Sequence, residues 1–188
     1  LEAEKAGKFK KEYTLYDTNK MAATEAPTGQ DTAFRYIVAV DAGSTGTRAY
    51  VYRWSKDSST GQKKAVLPDF TLTASLRMWP GLSSFGQDLD TLAIYMRTMM
   101  HFCGKSIGDL KLTRETSVYV YATAGMRLIK EEEQKNVMET VLDTILHGPE
   151  GFQIRPEQVQ IISGELEGAL AWLSVNYMTK TLPEANLP

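Results

Sequence analysis

The chain has 188 residues, with 21 Lys plus Arg against 23 Asp plus Glu for a formal net charge of −2, a length that suits one domain or part of a larger protein. So even a balance leaves no cationic footprint for nucleic acid or for an anionic membrane surface. No apolar run approaches the ~18 residues of a spanning helix, the opening Leu-Glu-Ala-Glu-Lys does not read as a signal peptide, and the lone Cys103 excludes an internal disulfide.

Residues 1–33 are polar and rich in Lys, Glu and Thr, so they read as a weakly ordered N-terminal extension, a surface arm that Tyr13, Leu15 and Tyr16 would dock. From Phe34 to Trp54 the pattern changes to a strand, a glycine-bearing turn and a second strand. Ile37, Val38 and Val40 form a β-branched run that stops at Asp41, and Tyr50, Val51, Tyr52 and Trp54 resume strand-type residues after the turn. Gly43 and Gly46 let the backbone come close to a ligand. Consecutive N–H groups, with the Ser44, Thr45 and Thr47 hydroxyls, would surround phosphate oxygens, and Asp41 would face a metal carried by that phosphate. Asp-x-Gly-Ser alone also suits an ordinary hairpin turn.

Lys56 to Lys64 is a turn by composition. Phe70, Leu72, Ala74 and Leu76 then alternate with Thr71, Thr73, Ser75 and Arg77, which predicts a half-buried third strand. Trp79 to Gly86 breaks regular structure, and Leu89, Leu92, Met96, Met99 and Cys103 mark the core face of a helix. On that face the thiol serves as a small apolar group, with pairing to a segment outside this chain as the alternative. Gly104-Lys-Ser106 resembles the end of a phosphate-binding loop, but Met99 stands where that motif needs its first glycine. Ser117 to Thr123 predicts a strand running into Ala124-Gly125, and Met126 to His147 a helix stopped by Gly148-Pro149, with the charge run Lys130 to Glu133 facing water. Val159 to Ile162 gives a last short strand. Gly164 opens a helix to about Met178, and Pro183 forbids its continuation. Residues 179–188 read as an exposed linker or cleavage-site region. The order β–β–β–α–β–α–β–α predicts an α/β fold, a mixed sheet with flanking helices.

The last junction carries two acids, Glu165 and Glu167. Two residues at ~100° each place them on different helix faces, so one site cannot readily use both. Leu166, Leu170, Leu173 and Tyr177 form an apolar stripe, while Glu167 heads a small-residue stripe with Ala171 and Ser174 and is the better placed to enter a cleft. A carboxylate at a helix start suits a general base; an ordinary acidic first turn would look the same.

Taken together, Asp41-Ala-Gly-Ser-Thr-Gly-Thr-Arg48, Ala122-Thr-Ala-Gly-Met-Arg127, and Ile162-Ser-Gly-Glu-Leu-Glu-Gly168 with Trp172 and Val175-Asn-Tyr177 resemble, in order and spacing, the first three apyrase conserved regions of the nucleoside triphosphate diphosphohydrolases. Pro80-Gly-Leu-Ser-Ser-Phe85 adds a fourth similarity, and the match runs from about Tyr36 to Met178. The resemblance implies an RNase-H-like lobe of the actin, sugar-kinase and heat-shock-chaperone superfamily over residues 34–178, with the start of a second lobe. It implies one part of a two-lobed enzyme, secreted or lumenal, that hydrolyses nucleoside tri- and diphosphates to monophosphates using Ca²⁺ or Mg²⁺.

Carried over by position, Glu167 would be the catalytic base and Glu165 a bystander, and Thr123 and Ala124 would position the attacking water. Asp41 would hold the metal through water. Gly43, Ser44, Thr45, Gly46, Thr47, Arg48 and Gly125 would contact phosphate, Gly46 through its backbone because members of the family carry a polar side chain there. Arg127 would either pair with phosphate or sit at the surface. The family's second phosphate loop, of the type Asp-Leu-Gly-Gly, does not occur before Pro188, so the resemblance implies an N-terminal half, inactive alone. The C-terminal half of the same precursor would act as a second chain, and a homo-oligomer stays open. A phosphatase of inorganic polyphosphate and a non-catalytic, nucleotide-gated binding module are the alternatives.

Overall fold

The computed structural model describes residues 9–15, 34–55 and 70–182. Strands β1 (Lys10–Leu15), β2 (Phe34–Ala42), β3 (Thr47–Ser55) and β4 (Thr71–Trp79) come first. Then follow helices α1 (Leu89–Ile107) and α2 (Leu110–Arg114), β5 (Ser117–Ala122), α3 (Ala124–Arg127), α4 (Glu131–Leu146), β6 (Val159–Ile161) and α5 (Gly164–Met178). The strands make one sheet in the order β1-β4-β3-β2-β5-β6. Successive pairs among β2, β3 and β4 are antiparallel, whereas β5 and β6 run parallel to β2. This is the mixed sheet with flanking helices that the element order predicts.

Alternation along the strands sends one row of small and β-branched side chains to a single face. Val38, Val40, Ala42, Ala49, Val51, Val118, Val120 and Ala122 are all buried there. Leu92, Tyr95, Met96 and Met99 of α1 and Val137, Val141 and Ile145 of α4 cover them, and truncating one such Leu or Met to Ala typically costs about 2–5 kcal/mol. Asp88 caps α1 by accepting from the Thr91 N–H at 3.1 Å, and Gly108, at φ 78°, ends it in the left-handed conformation that favours glycine. Gly104, Lys105 and Ser106 lie inside this helix, where the Ser106 hydroxyl donates to the Phe102 carbonyl, so they form no phosphate loop. Cys103 is wholly buried in the α1 face, and burial, reinforced by the Glu150 carboxylate, pushes its thiol up to about 12.

Three expectations change. Lys10–Leu15 is not a loose arm but the edge strand, pairing with β4 from Lys10↔Trp79 to Leu15↔Ala74. Its exposed Lys10 ammonium sits 4.9 Å over the Trp79 ring, a charged side chain of the kind that blunts an open sheet edge. In β4 the strict alternation slips: Thr73 and Ala74 are both buried, because the register shifts between Val51 and Tyr52 and the Thr73 hydroxyl turns in to donate to the Val51 carbonyl at 2.9 Å. The single helix expected from Met126 is broken into α3 and α4, with Lys130 in extended backbone between them. Residues 1–8 and 16–33 of the extension, the turn of residues 56–64 and residues 183–188 lie outside the described residues.

The opposite sheet face, carrying Arg48, Tyr50, Tyr52, Tyr119 and Tyr121, is half-buried. Helix α5 touches the body through its ends. At its far end the Tyr177 hydroxyl accepts from the Phe70 N–H at 2.9 Å, with the rings 6.1 Å apart. No residue of α5 is buried; Trp172 is 63% and Met178 72% exposed.

Candidate active site

The parallel pairing of β2, β5 and β6 decides where the motifs meet. Register pairs Ala42 with Ala122 and Ala122 with Ile161. The ladder continues past the strand ends, with the Thr123 N–H donating to the Ala42 carbonyl at 3.1 Å and the Ile162 N–H to the Ala122 carbonyl at 2.9 Å. All three motifs therefore leave the sheet side by side at its carboxyl edge, the edge at which open α/β sheets bind ligands.

The hairpin tip between β2 and β3 is braced from two sides by backbone. A Cβ on Gly125 would stand 2.6 Å from the Ser44 Cα and 3.1 Å from the Ser83 Oγ, and one on Gly81 would overlap the Gly43 and Ser44 carbonyls. A Cβ on Gly46 would lie 2.8 Å from the Met78 carbonyl oxygen. Only glycine permits these approaches. Ser44 and Thr45 project as the exposed tip, with Gly43 partly exposed beside them.

Gly46, Thr47 and Gly125 are buried beneath the tip, while Ser44 and Thr45 stand exposed and Gly43 partly exposed. Thr47 lies next to the Tyr95 phenol, which donates to the Pro80 carbonyl at 2.8 Å and is pushed up to about 12 by burial. Arg48 is paired with Asp41 of the same hairpin, its Nη1 donating to Asp41 Oδ2 at 3.1 Å. Thr123 is half-buried and Ala124 exposed at the neighbouring strand end, on either side of the step from β5 into α3.

At the third motif Ser163 caps α5, its hydroxyl accepting from the Leu166 N–H at 3.1 Å. Glu167 then lies in the first helical turn, its carboxylate half-exposed and 3.2 Å from Arg127 Nη2. The other terminal nitrogen of Arg127 donates to the Ile162 carbonyl. Glu165 is exposed on another face of the helix. Asp41 and Glu167 are thus each paired with an arginine of the same motif set, Arg48 and Arg127. The pairing of Arg127 is the feature that sequence reasoning misses: its position at a strand-to-helix step is visible, its partner is not.

A glycine-braced hairpin tip, a strand-to-helix step and an acid-bearing helix start thus stand together at one edge of a mixed sheet flanked by helices. The chain belongs to the GDA1/CD39 (nucleoside phosphatase) family, whose model matches residues 28–186. It is 40% identical over 144 residues to the nucleoside-diphosphatase mig-23 of Caenorhabditis briggsae, covering 76% of this chain and 26% of that protein. With ectonucleoside triphosphate diphosphohydrolase 1 of Bos taurus it shares 33% identity over 149 residues, covering 77% of this chain and 27% of that protein. A crystal structure of nucleoside triphosphate hydrolases from Neospora caninum has the same fold, with a TM-score of 0.54 at 19% identity, covering 78% of this chain and 32% of that one. The chain therefore spans only 26% to 27% of the length of these curated relatives.

Proposed function

We propose that the complete protein is a divalent-metal-dependent nucleotidase that converts nucleoside tri- and diphosphates to monophosphates, with this chain as its N-terminal half. The observation that carries the reading is the convergence of Asp41 and the Ser44-Thr45 tip after β2, the Thr123-Ala124 step after β5 and the Glu167 helix start after β6, on the carboxyl ends of three adjacent parallel strands. Water attacks the terminal phosphorus directly, without a phosphoenzyme, and Glu167 takes its proton. General-base catalysis of this kind is worth ~10²–10⁴ in rate. Gly43, Ser44 and Thr45 hold phosphate oxygens through main-chain N–H groups and hydroxyls, with Gly46, Thr47 and Gly125 keeping the tip in shape. Thr123 and Ala124 position the water.

The residues present fit a metal that arrives with the substrate. Among the described residues no group of three His, Cys, Asp or Glu could hold an ion. Asp41, with one oxygen tied to Arg48 and its side chain 42% exposed, is a single carboxylate of the kind that holds Mg²⁺ or Ca²⁺ through water while phosphates supply further ligands. When bound, such an ion offsets charge on the phosphate oxygens.

The second phosphate loop and the base-binding wall come from the C-terminal half of the same precursor. The exposed apolar side chains of α5 support such a partner, since patches of this kind mark interaction surfaces. The setting is extracellular or the secretory lumen, as the name of the bovine ectoenzyme supports; no helix among the described residues is long and apolar enough to cross a membrane.

The test is to assay the complete protein and residues 1–188 alone with ATP, ADP and inorganic polyphosphate, with Ca²⁺ or Mg²⁺ and after chelation. The complete protein is expected to turn over both nucleotides, to lose turnover to the chelator and to leave polyphosphate intact, while the isolated chain is silent. Preferred cleavage of polyphosphate, or nucleotide binding without turnover, contradicts the nucleotidase reading. Full turnover by residues 1–188 contradicts the half-enzyme reading.

A further inference from the structure

We infer that Arg127 is the positioning residue for Glu167: its guanidinium bridges the Ile162 carbonyl and the Glu167 carboxylate, aiming the acid at the end of a helix that packing leaves unfixed. The inference rests on the reading of Glu167 as general base. Arg127 closes α3 directly after Gly125 and Met126, both buried, so its main chain is anchored against the hairpin tip. Ile162 is 5% exposed and its N–H is held by Ala122 at 2.9 Å, so the carbonyl that Arg127 grips is a fixed point. The guanidinium reaches from it across the Ser163-Gly164 turn, with Nη2 3.9 Å from where a Cβ on Gly164 would stand, to Glu167 Oε2 at 3.2 Å.

The rest of α5 supplies little orientation. It buries no residue, and its Tyr177 contact with Phe70 lies at the opposite end of the helix. The Ser163 cap fixes where the helix begins; Arg127 fixes where the Glu167 side chain points. A planar guanidinium makes two hydrogen bonds in a set geometry, which a lysine ammonium on a flexible stem does not reproduce. The bond occupies Oε2 and leaves Oε1 free to accept a proton from water. Arg127 thereby ties the second motif to the third, so that the element bracing the hairpin tip also orients the base.

The experiment is a double-mutant cycle in the complete protein, measuring kcat, KM and thermal midpoint for wild type, Arg127→Ala, Arg127→Lys, Glu167→Gln and Arg127→Ala/Glu167→Gln. A base displaced by about 1 Å loses roughly 10²-fold in rate, so Arg127→Ala is expected to lower kcat about 10- to 100-fold with KM within about 3-fold. In the Glu167→Gln background the same change is expected to cost less than about 3-fold, because the group it aims no longer acts as a base. Arg127→Lys, which keeps the charge and the fold, is expected to recover only part of the loss. An Arg127→Ala effect that is undiminished in the Glu167→Gln background, or that falls mainly on KM, overturns the inference, as does full kcat in Arg127→Lys. Wild-type kcat in Glu167→Gln sinks the general-base reading instead, so the two failures are distinguishable.

Discussion

The hairpin tip and the Glu167 helix start stand at the same sheet edge but are held by opposite means. The tip grows from strands sealed on one face by α1 and α4, and it is braced by Gly81 and Gly125, where main chain meets main chain with no room for a Cβ. The helix start belongs to α5, which buries nothing and is located by a serine cap and an arginine. Steric contacts are stiff, since close-packed atoms cannot give way. Charge-assisted hydrogen bonds on a half-exposed carboxylate are directional but adjustable. The same edge thus pairs a rigid hairpin tip with an acid whose aim depends on two side chains.

The largest break in that contrast is a methyl group at the tip. Gly81→Ala places a Cβ against the Gly43 and Ser44 carbonyls, so the two loops must part. Overpacking of this kind costs about 1–3 kcal/mol, and the displaced tip is expected to raise KM for nucleotide several-fold or more. Denaturant midpoint and KM, measured together on the complete protein, check it; an unchanged KM would mean that the tip does not touch phosphate.

A smaller effect tests the sealed face. Because burial raises the Cys103 thiol from 9.0 to about 12, the native state keeps a proton that the unfolded chain gives up. Its contribution to stability is therefore intact below pH 9 and declines as pH rises from about 9 to about 12. The native thiol is also expected to resist alkylation at pH 8 and to react on unfolding. Rapid native alkylation, or Cys103 recovered in a disulfide-linked peptide, shows the face to be open. The smallest effect lies on the loose side. A Cβ on Gly168 meets nothing within 4 Å, so Gly168→Ala in α5 is expected to stabilise the chain by up to about 1 kcal/mol from helix propensity. A destabilised variant means that α5 is packed more tightly than its exposure indicates.

Much of this was legible before any coordinates. β2, β3 and β5 announce themselves because one face of each is buried in strict alternation. β1 does not: Lys10, Lys11 and Glu12 are exposed on an edge strand, and such a strand is defined by its partner rather than by its own pattern. The break between α3 and α4 is also invisible in the periodicity, since Lys130 takes extended backbone between two segments that both carry helix-type residues. Within the site, residue types marked where backbone comes close. They did not say to what: a Cβ on Gly46 would meet the Met78 carbonyl and one on Gly125 the Ser44 main chain. Helical geometry separates Glu167 from Glu165 on the helix surface, but the arginine beside Glu167 needed the fold.

The central claim is that Glu167, and not its neighbour Glu165, is the base that activates water, and paired substitution in the complete protein tests it most directly. Single-turnover and steady-state rates with ATP and ADP are compared for Glu167→Gln and Glu165→Gln, alongside nucleotide affinity by calorimetry. Glu167→Gln is predicted to lower kcat by ~10²–10⁴ with nucleotide affinity within a few fold, and Glu165→Gln to leave kcat near wild type. Equal losses in the two variants, or retained turnover in Glu167→Gln, contradicts the account.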